Sequence, residues 1–314
     1  MNSYIEKEKN FLSVNVNLDD KYNNDIAEFF SKVDKFLHQK FEVYEFIIIN
    51  NNCSEETEKK LKKILSEIHA NVTIINLPWK HTIEDVMKAG LDISVGDFVL
   101  EFDQPIIDFN IDFLTVMYEE CLKGFDVVSA VPEHNIKLSS RLFYRLFNTV
   151  SYKNMNLTTE NFRIVSRRVL NRILANEENF QYRKAAYHYS GFDTKIIKYN
   201  SKQRKKDSPL SEKINLAGNI LTYHSNLGTK ICALISLIFF ILSIAGASYT
   251  ILSYIFVQNI QRGWTTTMLF LSGSFTGLFF ILTIISKYLE ALIREIQNKP
   301  SYIYKSIDKI SKLK

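Results

Sequence analysis

Glycine, proline and cysteine are scarce in this sequence, and their scarcity narrows the class of protein. The 314 residues include only 10 glycines and 5 prolines, whereas 46% of them are hydrophobic and 23% are charged. This composition excludes collagen-like, low-complexity and disordered chains. The net charge is +5, and no basic block is long enough to follow a nucleic-acid backbone. We therefore expect no nucleic acid among the partners.

The three cysteines predict neither a disulfide framework nor a zinc site. Cys53, Cys121 and Cys232 are odd in number, widely spaced and without a C-x-x-C pair. The six histidines also lack the spacing of metal ligands. The first ten residues carry charges of both signs and no apolar run, so they do not predict a secretory signal. These features favour a reducing, cytoplasmic environment.

Charge is absent from two long stretches near the C-terminus. Residues 231–257 and 264–286 contain no Asp, Glu, Lys or Arg, and each run exceeds the ~20 residues that cross a bilayer as a helix. The alternative is a pair of buried helices in a large soluble core. Because the link at 258–263 is short, we predict an antiparallel two-helix transmembrane hairpin within residues 226–286. Without intramembrane charges, its expected role is anchoring.

The distribution of Lys and Arg orients this hairpin. Residues 287–314 carry seven basic and three acidic side chains, whereas the link carries only Arg262. By the positive-inside rule, residues 287–314 form a basic cytoplasmic tail. The chain is then a multi-pass protein of the cytoplasmic membrane with both termini cytoplasmic. The amphipathic segment near 210–223 is expected to lie at the bilayer interface.

Residues 1–225 alternate between short β-branched runs and longer amphipathic stretches. Strands are predicted at 12–18, 44–49, 72–77 and 98–103, and helices at 25–41, 55–70 and 82–91. Such alternation is typical of βαβ units, so the pattern predicts an α/β fold.

Two acidic residues end the last predicted strand. Side chains at positions i and i+2 of a strand share a face, so Glu101 and Asp103 are expected to point the same way. Ligands of open α/β sheets bind at the carboxyl ends of the strands. Two carboxylates there can hold a hard divalent cation whose shell is completed by substrate phosphates. The alternative is a solvated acidic strand end, followed by a turn at Gln104 and Pro105.

Three ordered segments carry a family resemblance. They are Asn50-Asn51-Asn52-Cys53-Ser54, the stretch from Ala89-Gly90 to Asp103, and Asn161-Phe162-Arg163-Ile164-Val165-Ser166-Arg167. Together with the hydrophobic pair that follows, they resemble membrane-anchored family 2 glycosyltransferases of the polyprenyl-phosphate-linked kind. The resemblance covers nearly the whole chain. It implies a GT-A-type, Rossmann-like nucleotide-sugar domain in residues 1–225, followed by the transmembrane hairpin.

The resemblance also implies a nucleotide-sugar site with degenerate acidic motifs. Asn50 and Asn51 stand where the family usually has two aspartates near the base and ribose, and their amides can still form hydrogen bonds with these groups. Asp103 aligns with the first acid of the family's D-x-D motif, and Pro105 takes the place of the second. A divalent cation, Mg²⁺ or Mn²⁺, would then be bound by Asp103 together with Glu101 as the replacement ligand, or with Asp108.

The third segment implies residues for catalysis and acceptor binding. Asn161 replaces an acid that acts as the base or beside it, and an amide accepts no proton at neutral pH. A polyprenyl phosphate is already anionic and needs little base. The expected catalytic residues are Asp103, Glu101, Asn161 and Arg163. The cations expected to bind the acceptor phosphate are Arg163, Arg167, Arg204, Lys205 and Lys206. For the run at 202–206, the alternatives are a solvated patch or an attraction to anionic lipid.

These expectations favour a membrane-bound glycosyltransferase that acts on the cytoplasmic face. It would move a sugar from a nucleotide-sugar donor to a polyprenyl phosphate or another lipid-linked acceptor. Because several acids are replaced at once, the alternative is a catalytically degenerate GT-A-fold partner or scaffold of another membrane glycosyltransferase. The expected partners are the nucleotide sugar, the acceptor and the lipid bilayer, with a homo-oligomer or a membrane enzyme partner left open.

Overall fold

The computed structural model describes most of the first 133 residues and shorter stretches after them. The described residues are 7–133, 160, 162–175, 183–201 and 302–312, with scattered helical positions between 235 and 292. The chain divides into two compact units. The first comprises residues 1–145, 155–207 and 300–314, and the second comprises residues 146–154 and 208–299.

The described part of the first unit contains eight strands and six α-helices. In chain order they are β1 (Leu12–Leu18), α1 (Ile26–Lys40), β2 (Tyr44–Asn50), α2 (Glu55–Leu65), β3 (Asn71–Asn76), α3 (Ile83–Ile93), β4 (Phe98–Phe102), α4 (Phe113–Leu122), β5 (Val127–Pro132), β6 (Phe162–Ser166), α5 (Arg167–Ala175), α6 (Arg183–Tyr189), β7 (Thr194–Tyr199) and β8 (Ser306–Ile310). A short 3₁₀ helix, Asp20–Tyr22, lies between β1 and α1.

The described strands form one mixed sheet in the order β7-β5-β6-β4-β1-β2-β3-β8. Strands β4, β1, β2 and β3 are parallel, so their carboxyl ends lie side by side. We call this row of strand ends the carboxyl edge of the sheet. Strand β6 runs antiparallel between β4 and β5 and places Arg163 opposite Glu101. The parallel half of the sheet, with α1, α2 and α3 connecting its strands, confirms the predicted α/β, Rossmann-like fold.

The core forms because the central strands are buried along nearly their whole length. All seven residues of β1 and six of the seven in β2 are buried, as expected for strands covered on both faces. Helix α1 buries Phe29 and Phe30, whose rings meet edge to face at 5.2 Å. Phe29 also meets Phe102 of β4 at 4.8 Å. Each buried Phe side chain contributes roughly 1.5–3 kcal/mol.

The predicted helix at 55–70 ends earlier, at Leu65, because a buried acid holds the next segment. Asp34 of α1 accepts hydrogen bonds from the backbone N–H of His69 at 3.2 Å and from the hydroxyl of Tyr44 at 2.8 Å. It also contacts Nδ1 of His69 at 2.7 Å. These bonds satisfy the buried carboxylate, as burial of such a group requires. They also turn the chain into β3.

The segment predicted as a basic cytoplasmic tail, residues 287–314, contributes a strand to the sheet. Within it, β8 pairs antiparallel with β3 and belongs to the first unit. Ile307 lies opposite Ile75, and Ile310 lies opposite Val72. The physical reason is that β3 would otherwise be an open edge strand with unpaired backbone groups. No local pattern in the basic tail reveals this pairing.

The predicted membrane hairpin falls mostly outside the described residues. Of the two runs, only scattered positions are described, and these are helical. Among the described residues, no helix is both long enough and apolar enough to cross a bilayer. The predicted interfacial segment at 210–223 and the predicted domain boundary at 225 also lie outside the described residues. The hairpin therefore stays a prediction.

Candidate active site

The carboxyl ends of β1, β2, β3 and β4 are joined by hydrogen bonds. The side-chain amide of Asn17, near the end of β1, donates to the backbone carbonyl of Asp103 after β4 at 3.3 Å. The backbone N–H of Asn51 donates to the carbonyl of Leu18 at 3.2 Å, and that of Leu77 donates to the carbonyl of Asn50 at 3.0 Å. Ligands of open α/β sheets bind at this edge, so it is the candidate active site.

Asp103 lies at this edge with each carboxylate oxygen paired to an arginine. Arg183 of α6 donates to Oδ1 at 2.9 Å, and Arg163 of β6 donates to Oδ2 at 3.4 Å. The side chain of Asp103 keeps 17% of its surface exposed, whereas the two arginine side chains are 0–1% exposed. Asp103 therefore faces the edge of the sheet, and the arginines approach it from the interior.

Glu101 lies on the same face as Asp103, as predicted, but it is fully buried. Its Oε2 accepts from Arg183 and, at 3.3 Å, from Arg163. Its Oε1 accepts from the hydroxyl of Tyr187. The i, i+4 spacing of Arg183 and Tyr187 brings both side chains from one face of α6 to the same carboxylate. Both oxygens of Glu101 are thus used inside the protein.

Two further carboxylates complete this buried ion cluster. Glu84, in the first turn of α3, accepts from the backbone N–H of Arg183 at 2.9 Å and from its Nε at 3.0 Å. Glu160 lies 3.1 Å from Nε of Arg163, and Lys184 donates to the backbone carbonyl of Glu160 at 3.0 Å. Buried charges require such partners, because an unpaired charge is costly to remove from water.

The cluster shifts the pKa of its members. Burial alone would raise the pKa of Asp103, but Arg163 and Arg183 outweigh it and hold that pKa well below the usual 3.8. Burial would lower the pKa of Arg163, and the neighbouring carboxylates raise it instead. The pKa of Tyr187 is raised by burial and by the charge of Glu101. Asp103 is therefore ionised, and Tyr187 is a neutral hydrogen-bond donor, at neutral pH.

The described residues do not fit a bound Mg²⁺ or Mn²⁺ in this arrangement. Both oxygens of Asp103 pair with guanidinium groups, and Glu101 has no exposed surface. The described part of the chain contains no group of three or more His, Cys, Asp or Glu side chains placed to hold a metal. Asp108, the other expected ligand, is buried and accepts from Ser201 at 2.6 Å and from Tyr199 at 3.2 Å. The predicted metal ligands are thus satisfied by protein groups.

Asn50 and Asn51 lie at the predicted edge, but their amides are used within the protein. Asn50 donates to Glu58 at 2.8 Å and accepts from the backbone N–H of Cys53 at 2.9 Å. Asn51 exchanges two hydrogen bonds with the backbone of His81, at 2.8 and 3.2 Å. Both asparagines are about 95% buried. In this geometry they shape the loops at the edge, and direct contact with a nucleotide stays a prediction.

The expected acceptor cations are not brought together by the described structure. Arg163 reaches Asp103 but is fully buried. Arg167 donates to the carbonyl of Gly96 at 2.8 Å, before the first residue of β4. Because β6 runs antiparallel to β4, Arg167 lies beside the amino end of β4. Asp103 follows the carboxyl end of β4, so the two residues lie at opposite ends of that strand. This corrects the grouping of Arg167 with Arg163. Asn161, Arg204, Lys205 and Lys206 lie outside the described residues.

Sequence reasoning missed most of the residues that surround Asp103. Glu84, Glu160, Arg183 and Tyr187 were not predicted to belong to the site. Arg183 lies 80 positions after Asp103 in the sequence, so no local pattern joins them. The one available signal is the i, i+4 pair of Arg183 and Tyr187 on an otherwise apolar helix face.

Comparison with known proteins finds a family match over part of the chain. Residues 25–177 match the family described as glycosyl transferase family 2. The matched range contains Asp103, Glu101 and Arg163. The predicted enzyme class, a glycosyltransferase, is confirmed.

The chain is similar to named proteins along most of its length. It is 22% identical to an uncharacterized glycosyltransferase of Bacillus subtilis over 297 residues, which cover 90% of each chain. It is 24% identical to a prophage bactoprenol glucosyl transferase homolog of Escherichia coli over 299 residues, covering 90% of this chain and 95% of that one. Among solved structures, glucosyl-3-phosphoglycerate synthase of Mycobacterium tuberculosis in complex with UDP aligns at 12% identity. That alignment has a TM-score of 0.47 and covers 68% of this chain and 78% of that one.

Proposed function

We propose that this glycosyltransferase moves a sugar from a nucleotide-sugar donor to a polyprenyl phosphate or another lipid-linked acceptor at the cytoplasmic face of the membrane. The observation that carries the proposal is the similarity to the Escherichia coli bactoprenol glucosyl transferase homolog. It covers 90% of this chain and so extends beyond the family match at 25–177 into the C-terminal hydrophobic runs. The candidate site at the carboxyl edge of the sheet supports it.

In this reaction an anionic phosphate oxygen of the acceptor attacks the anomeric carbon of the donor sugar. The bond from that carbon to the diphosphate breaks, and the nucleoside diphosphate leaves with the electron pair. Because the attacking oxygen is already ionised, the step needs no strong general base. This fits an asparagine at position 161. Asp103 contributes a fixed negative charge at the edge of the site, held in place by Arg163 and Arg183.

The topology of the first unit supports a membrane hairpin. The chain leaves this unit after residue 207 and returns to it at residue 300. Strand β8 then pairs with β3 in the same sheet as β1. Any bilayer crossing between these two points must therefore occur an even number of times. Two uncharged runs with a short link between them provide the two crossings.

The test is release of nucleoside diphosphate by the full chain purified in detergent. A panel of nucleotide sugars is supplied with and without polyprenyl phosphate, in parallel reactions containing Mg²⁺, Mn²⁺ or EDTA. We expect release that depends on the acceptor and is abolished in Asp103→Asn, which keeps the size of the side chain but removes its charge. Acceptor-dependent release at the full wild-type rate in Asp103→Asn would contradict the role of Asp103.

A second candidate is a noncatalytic GT-A-fold partner of another membrane glycosyltransferase. The observation that favours it is that the amides of Asn50 and Asn51 and both oxygens of Asp103 are already paired within the protein. This candidate predicts no turnover with any donor. It also predicts copurification with an active transferase whose rate is unchanged by Asp103→Asn.

A further inference from the structure

Strand β8 is joined to β3 by side-chain as well as backbone hydrogen bonds, and these meet at Asn76. The side-chain amide of Asn76 donates to Oγ of Ser306 at 2.9 Å and to Oδ2 of Asp308 at 2.8 Å. The backbone N–H of Lys305 donates to the carbonyl of Asn76 at 2.7 Å. Asn76 is the last residue of β3, so these contacts lie at the carboxyl edge that carries the candidate active site.

Asn76 also contacts the next strand towards the centre of the sheet. Its Oδ1 accepts a hydrogen bond from the side-chain amide of Asn50 at 3.0 Å. The other hydrogen of that amide is directed to Glu58 of α2 at 2.8 Å. Oδ1 of Asn50 in turn accepts from the backbone N–H of Cys53 at 2.9 Å. A continuous series of hydrogen bonds therefore runs from β8, through Asn76 and Asn50, to the loop that follows β2.

The loop turns at Asn52, whose φ angle of 52° lies in the left-handed region. Asparagine adopts this region more readily than other residues except glycine. Asn50 and Asn51 on its amino-terminal side are both buried and hydrogen-bonded. On its carboxyl-terminal side, Ser54 is held by Asp20, which accepts from its backbone N–H at 2.9 Å. The conformation of the loop is thus set by bonds to its neighbours, and β8 supplies one end of that network.

We propose that β8 sets the affinity of the enzyme for its nucleotide-sugar donor by fixing Asn50 through Asn76. Asn76, Ser306 and Asp308 act as positioning residues, because they reach the site only through Asn50. This inference rests on the proposed function, since the loop after β2 is where that function places the nucleotide. It also means that the chain segment following the hydrophobic runs supports the donor site from outside it.

The test exchanges the side chains of Asn76 on β3 and Asp308 on β8, which are joined by a hydrogen bond. Asn76→Asp keeps an acceptor for Asn50 but places a carboxylate against Asp308. We expect the donor KM to rise about two- to tenfold, the range that corresponds to one net hydrogen bond, with kcat and the acceptor KM unchanged. In Asn76→Asp combined with Asp308→Asn, the new amide on β8 can donate to the new carboxylate. We expect the donor KM to return towards the wild-type value.

Two controls distinguish positioning from general stability. Lys309→Gln changes the same strand at a position opposite Thr73, and we expect it to leave the donor KM unchanged. Thermal unfolding of each variant, as the full chain in detergent, shows whether a change in KM follows a loss of folded protein. A rise in donor KM that tracks the unfolding temperature, or that Asp308→Asn does not reverse, would overturn the inference.

Nucleotide binding is measured beside turnover, so that the inference and the proposed function can fail separately. Calorimetric titration with UDP, GDP and CDP gives a dissociation constant for each variant without requiring transfer. Binding that weakens in Asn76→Asp and recovers in the double variant supports the inference even if no acceptor is glycosylated. Wild-type turnover with a donor KM insensitive to both changes would overturn the inference and leave the proposed function intact. No nucleotide binding by the wild type would overturn both.

Discussion

The carboxylate of Asp103 lies where a buried ion cluster meets the edge of the sheet. Four carboxylates of this cluster contact two arginines, and Lys184 lies beside them. A buried ion pair contributes little net stability compared with apolar residues, but removing one partner leaves an unpaired charge and costs about 3–5 kcal/mol. The cluster therefore fixes the position of Asp103 more than it stabilises the fold.

The lowered pKa of Asp103 predicts a specific loss of stability in acid. Its folded-state pKa lies below the usual 3.8, so folding favours the ionised form. The stabilisation is complete above about pH 4 and is lost as the pH falls towards the folded-state pKa. We expect the difference in stability between the wild type and Asp103→Asn to narrow as the pH falls from 5 to 3. Thermal unfolding of both full chains across this range measures the difference.

The wild type and Asp103→Asn share all other acidic groups. The difference between their stabilities therefore reports on Asp103. The matched control is Asp112→Asn, which makes the same change of side chain at the exposed residue before α4, outside the ion cluster. A gap between wild type and Asp103→Asn that stays constant down to pH 3 would contradict the ion pairing of Asp103 with Arg163 and Arg183.

At the scale of secondary-structure elements, the sequence predicts the strands and helices that leave a local pattern of hydrophobic residues. The four parallel strands and their connecting helices lie within a few residues of their predicted bounds, because β-branched runs and amphipathic spacing are local signals. The end of α2 differs because Asp34, on another helix, holds His69. The pairing of β8 with β3 and the contact of Arg183 with Asp103 could not be predicted, because the partners are distant in sequence. Polar contacts between distant residues produce no periodic pattern in the sequence.

Packing between α3 and β1 gives a prediction for a single glycine. A methyl group at Gly90 would overlap the side-chain amide of Asn15, which donates to the carbonyl of Met87 at 2.9 Å. Overpacking should cost about 1–3 kcal/mol, and the roughly 1 kcal/mol that alanine gains over glycine within a helix offsets part of this cost. Gly90→Ala should therefore destabilise the fold by up to about 2 kcal/mol net. Unfolding of the full chain measures the change.

The matched test of this contact is a double-mutant cycle with Asn15→Ala. Removing the amide opens space for the new methyl group, so the double variant should lose less stability than the sum of the two single changes, by about 0.5–3 kcal/mol. Simple additivity would show that Gly90 does not meet Asn15.

At the scale of the whole molecule, one sheet contains strands from both ends of the chain. Strand β1 begins at residue 12 and β8 ends at residue 310, yet only β2 and β3 lie between them in the sheet. The hydrophobic runs are thus inserted into a folded unit and do not simply follow it. For the membrane hairpin proposed above, this insertion requires an even number of crossings, since an odd number would carry β8 away from β3.

The pairing of β8 with β3 predicts on which side of the membrane the two termini lie. In cells expressing the full chain, reporters fused at the N-terminus and at the C-terminus should both read the cytoplasmic side, and a reporter inserted at 258–263 should read the opposite side. The matched control deletes residues 258–286, which removes the link and the second run. With one crossing left, the C-terminus should change sides, β8 should be lost from the sheet, and the donor KM should rise if Asn76 acts as proposed. A C-terminal reporter that faces away from the N-terminal one in the full chain would contradict the pairing of β8 with β3.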